Sequence, residues 1–168
     1  TTAQVAGLTT ANINGLSTTN VAALTTAQVG ALLTSQVTAL STAGIAALTT
    51  AQIQALNTNQ VSNLTTTNLG ALTTAQVAAL ETTDVAALKT THVNALSTSN
   101  LAALTTTQLG ALTSTSAAVI TVTDIKALTA TGNTANKVLR VSEAKLSAAN
   151  TAVSWPPFLT PASLVLKT

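Results

Sequence analysis

The chain has no cysteine, no methionine and no tyrosine, and it has a single tryptophan and a single phenylalanine. Lys and Arg together number six and Asp and Glu four among 168 residues, far below the usual quarter of charged residues. Without cysteine there is neither a disulfide framework nor thiolate chemistry. Residues 1–80 contain no Lys, Arg, Asp, Glu or His at all. Nucleic-acid binding needs clustered cations and stacking aromatics, so that class is excluded. One histidine and four scattered acids offer no catalytic triad, no metal-ligand cluster and no group to hold a cofactor. The expectation is a protein that is not an enzyme. No apolar run approaches the roughly 18–20 residues of a membrane span, because Thr, Gln and Asn interrupt every stretch.

What is present is one octapeptide, plainest as TTAQVAAL at 73–80, repeated in register from Thr1 to Leu112. The eighth position is Leu and the second is Thr in all fourteen copies, and the fifth is always Val, Ile or Leu. At 46% apolar content this is not a charged, core-less chain. Thr1 stands on the first octad position and there is no initiator Met. We therefore expect a processed product or a piece of a longer array.

A period of eight excludes one continuous α-helix, in which successive leucines would drift about 80° around the axis. It also excludes a straight strand, because positions five and eight would point to opposite faces. The chain must turn once per octad. The reading we favour is an all-α repeat solenoid of very short capped helices. Ser or Thr at position one serves as N-cap, and position four, the third helical residue, is Gln or Asn in eleven copies. That is the amide form of a capping box. Leu before the cap and Val or Ile at position five form the accompanying hydrophobic staple, as Leu72, Thr73, Gln76 and Val77 illustrate. Positions two, five and eight share a face, and Leu8, Ile13, Leu16, Val21, Leu24, Val77 and Leu80 are expected in a repeat core. The alternative is a β-solenoid, favoured by Thr, Val and Ile and by the unvarying Thr at position two, which suggests a stacked or inward hydroxyl. TTAQ recurs every three octads whereas Gly-Ala-Leu endings recur every five, so the number of octads per coil stays open.

Charge first appears in ETTDVAAL (81–88) and KTTHVNAL (89–96), where Glu81 matches Lys89 in position and Asp84 matches His92. If successive octads lie side by side, each acid sits near a base, as a solvated pair of small value. The repeat is regular to 112 and degenerate over 113–128, where Ala117 replaces the branched residue before Thr121, Asp124 and Ile125 restore the pattern. Residues 129–168 form a separate C-terminal cap or assembly segment. Trp155, Pro156, Pro157 and Phe158, with the apolar Leu164, Val165 and Leu166, are candidates for capping the open core or contacting another subunit. Asn63-Leu64-Thr65 is an N-glycosylation sequon, and the Thr density would suit O-linked sugars.

The run L-[ST]-T-x-[QN]-[VIL]-x-A-L over residues 8–112 resembles Thr-rich octapeptide arrays of very large secreted or surface proteins of bacteria. That resemblance implies an adhesin-like or matrix-forming structural role outside the cell. The expected function is a subunit of an extracellular filament, surface layer or matrix that self-associates through its ends. The alternative is an ice-binding or glycan-binding solenoid that presents a Thr-rich face.

Overall fold

The computed structural model describes residues 1–130 and Val141. Among these, sixteen helices follow one another with no strand between them, so the helical solenoid is the fold and the β-solenoid alternative falls. One helix of five or six residues serves each octad from α1 (Thr2–Ala6) to α14 (Thr106–Ala111). Then come α15 (Ser114–Ala118) and α16 (Val122–Ala130), which runs past the eighth octad position and leaves the pattern.

Each helix starts where the sequence places its cap. In α10 (Thr74–Ala79) the Thr73 hydroxyl accepts from the Gln76 backbone N–H at 3.2 Å, and the Gln76 Oε1 accepts from the Thr73 N–H at 2.8 Å. The helix ends because Leu80 turns extended, at φ −57° and ψ 142°, after a last i→i+3 bond to the Val77 carbonyl. Thr49, Ser97 and the other cap residues are extended too, with ψ near 160°. After α5 (Thr34–Ala39), α6 (Thr42–Ala47), α10, α12 (Thr90–Ala95), α13 (Thr98–Ala103) and α14 the leucine and the next cap, both extended, make the corner, and none of Gly7, Gly15, Gly30, Gly44 and Gly70 needs a left-handed backbone.

Helices of this length do not survive alone in water. They persist because they stack. α10 packs on α7 (Thr50–Gln54) below and on α13 (Thr98–Ala103) above, and the same offset of three octads recurs along the array. Side-chain bonds reach one octad further, from Gln76 to the carbonyl of Ile45. One coil of the solenoid therefore takes between three and four octads, neither the three nor the five that the sequence motifs suggest. Where α4 (Thr26–Gly30) meets the coil above, Gly30 lies so close to the Ala55 carbonyl that a Cβ would sit 3.0 Å from it.

The interior is one continuous cluster of position-five and position-eight side chains. Ile13, Val21, Val77 and Leu80 are buried in it, each contributing about 1.5–3 kcal/mol. Leu16 and Leu24 are only partly covered, and Leu8 is 36% exposed, so its assignment to the core is corrected. The reason is its place in the first coil, which has no coil beneath it among the described residues. A second correction concerns position two: Thr74 and its equivalents are exposed or half-buried, and from the fifth octad on position four is buried instead. Val141 is also fully buried in the cluster, at position five if octads are counted on from Thr121.

Candidate functional site: the position-four ladder

From the fifth octad to the fifteenth, position four points inward against the coil below. Ten of these eleven residues are polar, and they account for every buried polar residue described: Gln36, Gln52, Gln60, Asn68, Gln76, Asp84, His92, Asn100, Gln108 and Ser116. Gly44 is the eleventh. The glutamines do two jobs at once. The oxygen completes the cap of its own helix, while the nitrogen donates to carbonyls at the C-terminal end of the helix four octads earlier, and the asparagines share the second job. Gln36 Nε2 donates to Val5, Ala6 and Leu8 at 3.1, 3.0 and 2.7 Å. Gln108 Nε2 donates to Val77, Ala78 and Leu80 at 3.3, 3.3 and 2.6 Å. The last carbonyls of a helix are short of partners, the position-five carbonyl having only the leucine N–H three residues on, and polar groups left unpaired beside the core are costly. Asn reaches less far: Asn68 Nδ2 makes the same three bonds at 3.3 to 3.5 Å.

In the first four octads the same residues, Gln4, Asn12, Asn20 and Gln28, complete their own caps or lie beside them but are not buried. Their amide nitrogens are not engaged by a coil below.

Three octads keep the position with other chemistry. Ser116 Oγ donates to the Leu88 carbonyl at 2.8 Å, 28 residues earlier. His92 imitates an amide: Nδ1 accepts from the Lys89 backbone N–H at 3.3 Å, and the other ring nitrogen bonds the Leu64 carbonyl, again 28 residues earlier. Burial pushes its pKa down, the Lys89 charge adds to that, and the Leu64 bond opposes it. Asp84 brings no donor. Its Oδ1 accepts from the Thr58 hydroxyl at 2.8 Å, while Oδ2 is buried without a hydrogen-bond partner. Burial raises its pKa. The Thr58 bond works against this, Glu81 raises it further, and the Glu81 backbone N–H opposes weakly. The charges that bear on Asp84 and His92 thus come from their own octads, not from each other as the matched positions suggest.

Sequence reasoning found the capping half of position four and missed the coil-to-coil half. The available signal was the residue type. A capping box accepts Glu as readily as Gln, yet eleven copies carry an amide and none carries Glu. Only the amide donates.

Surface depressions are shallow. One of about 490 Å³ is lined by Gln54, Glu81, Thr83, Thr105 and Gln108, and one of about 190 Å³ by Asn94, Thr98, Thr121 and Asp124 among others. Among the described residues no group of three His, Cys, Asp or Glu could hold a metal ion, and no helix is long and apolar enough to cross a membrane. Asn63 of the sequon is exposed, with its Nδ2 donating to the Asn59 carbonyl at 2.8 Å. Trp155, Pro156, Pro157, Phe158, Leu164, Val165 and Leu166 lie outside the described residues.

A stack of capped octad helices, locked coil to coil by inward amides, defines an α-solenoid of the repeat-protein class. The family model of the ALTTAQ repeat matches residues 1–34, 13–42, 34–66, 45–82 and 77–114, and the chain belongs to that family. No curated protein and no solved structure matches it.

Proposed function

We propose that this repeat protein is a non-enzymatic structural rod, a subunit of an extracellular filament, surface layer or matrix that grows through its ends. The carrying observation is the position-four ladder. Every buried polar side chain described is engaged in cap or coil-to-coil bonds or, in Asp84, faces the neighbouring coil, and none is held in reserve for a ligand. The outer positions are mostly Thr, Ala, Ser and Asn, with little charge to keep copies apart. Solenoids built this way extend by repeating one contact. In this reading the exposed amides of the first coil take carbonyls from a further coil. Residues 137–168 contact the next subunit, with Trp155 and Phe158 as anchors. Asn63 and the outer Thr hydroxyls are the places for sugars on such a surface.

The runner-up, a flat Thr face for ice or glycans, gains less from the geometry. Because one coil takes a non-integral number of octads, equivalent threonines wind around the rod instead of stacking in straight columns. Negative-stain electron microscopy of the full chain and of a chain ending at Asn136 tests the proposal. Filaments from the first and soluble rods from the second are expected. Single particles from the full chain, with thermal hysteresis in dilute solution, would give the function to the Thr face.

A further inference from the structure

We propose that the twelfth octad is an acid-labile joint of the rod, because His92 can cap its own helix and bond the coil below at the same time only as a neutral ring protonated on Nε2. Every glutamine on the ladder combines an acceptor turned to its own N-cap with a donor turned to the coil below. His92 copies that division: Nδ1 accepts from the Lys89 N–H, and the opposite nitrogen donates to the Leu64 carbonyl. A second ring proton would have to sit on Nδ1, facing the N–H it now accepts from. The imidazolium would then lose the cap of α12 (Thr90–Ala95) and set two donors against each other in a site where His92 is 4% exposed. The Leu64 bond would survive, but the elements packed most closely on α12 bring no acid to balance the new charge. The charged side chain that bears on the ring is Lys89, of the same sign. The elements packed most closely against α12 are α9 (Thr66–Gly70) and α15, and neither contains a titratable residue; Asp124 of α16 shares a depression with Asn94 but is bonded to Thr98 and Thr121. Gln at this position would make both bonds at any pH. The chain has one histidine, so the twelfth octad is the only one whose cap rests on a ring that takes up a proton near the physiological range.

The direction follows from linkage. A ring with its pKa lowered by folding binds fewer protons in the folded chain. Its contribution is therefore complete above the unfolded value of about 6.5 and is lost as the pH falls below it. The test compares urea unfolding of the full chain with that of His92→Gln, followed by far-ultraviolet circular dichroism between pH 7.5 and 5.5. The folding equilibrium constant of the wild type should fall up to about tenfold relative to the variant at the acid end. Nitrogen NMR of the wild-type ring should show the Nε2–H tautomer, with a midpoint below about 6.5. The same pH profile in both proteins overturns the proposal. If the variant does not fold, the NMR measurement decides alone: an Nδ1–H tautomer, or a midpoint at or above the free value, overturns it.

Discussion

The side-chain nitrogen of Gln76 donates to the carbonyl of Leu48, 28 residues earlier, at 2.7 Å, while its oxygen accepts from the Thr73 N–H at 2.8 Å. Seen from the sequence alone, Gln76 is a capping residue whose loss costs about 1 kcal/mol. The structure raises that figure. Gln76→Ala removes the cap and also takes the side-chain donor from the carbonyls of Ile45, Ala46 and Leu48, of which Leu48 is buried and Ile45 keeps the Leu48 N–H. The expected cost is about 2–4 kcal/mol, because each unpaired buried group adds to the lost bond. Urea unfolding of the variant beside Gln4→Ala, which removes an exposed cap of the same type, separates the two parts. Equal losses would mean that the coil-to-coil bonds contribute nothing.

Leu72 is buried in the cluster and also forms the staple that leads into α10. Leu72→Ala should cost about 2–5 kcal/mol, as expected for a truncated core leucine. The matched variant Leu8→Ala, at a residue 36% exposed in the first coil, should cost clearly less when unfolding midpoints are compared.

The turn at every octad, the capped helices and the Val and Leu interior were all legible in the sequence, because each follows from contacts within about eight residues. Thr73, Gln76 and Val77 announce a helix start without reference to anything distant. The pairing of Gln76 with Leu48 was not legible, because it depends on how many octads complete a coil. The TTAQ and Gly-Ala-Leu spacings pointed to different whole numbers, and the stack uses neither. Position two misled for a related reason. Thr58 and Thr98 never vary in type, but they lie on the rim between coils, where their hydroxyls serve Asp84 and Asp124 three octads on. In these copies the hydroxyl meets the coil above and not the core.

Gly44 is the gap in the ladder. By the register of Gln36 and Gln52, a side chain there would face the carbonyls of Ile13, Asn14 and Leu16. Gly44→Gln should therefore stabilise the chain by about 1–2 kcal/mol, from helix propensity and the new bonds together. Room for the Cβ exists once the Ser41 hydroxyl, 3.3 Å from its position, gives way by a few tenths of an ångström while still accepting from the residue-44 N–H. Gly44→Ala is the control, since it carries the propensity gain alone. A glutamine variant no more stable than the alanine variant would show that the carbonyls cannot be reached.

Asp84 poses the opposite problem, a side chain of the right size with the wrong complement of hydrogens. It is 1% exposed, its Oδ2 lacks a partner, and Glu81 at the cap adds a like charge and no hydroxyl. A neutral carboxyl resembles an amide, with one donor and one acceptor, and the raised pKa favours that form. The sign of the pH dependence follows. Stability from this residue is complete below the unfolded value of about 3.9 and is lost as the pH rises through the higher folded value. Asp84→Asn should therefore stabilise the chain at pH 7 by about 1–3 kcal/mol, with Nδ2 free to donate as Asn100 does to Leu72 at 2.8 Å. The advantage should shrink towards zero near pH 3.5, where wild type and variant present similar hydrogen-bonding groups. His92 is common to both proteins, so its own acid response cancels in the difference. Urea midpoints at the two pH values are the measurement. A variant weaker than wild type at pH 7 would mean that Asp84 is held as a carboxylate by Thr58, and that ionisation at this position does not disturb the ladder.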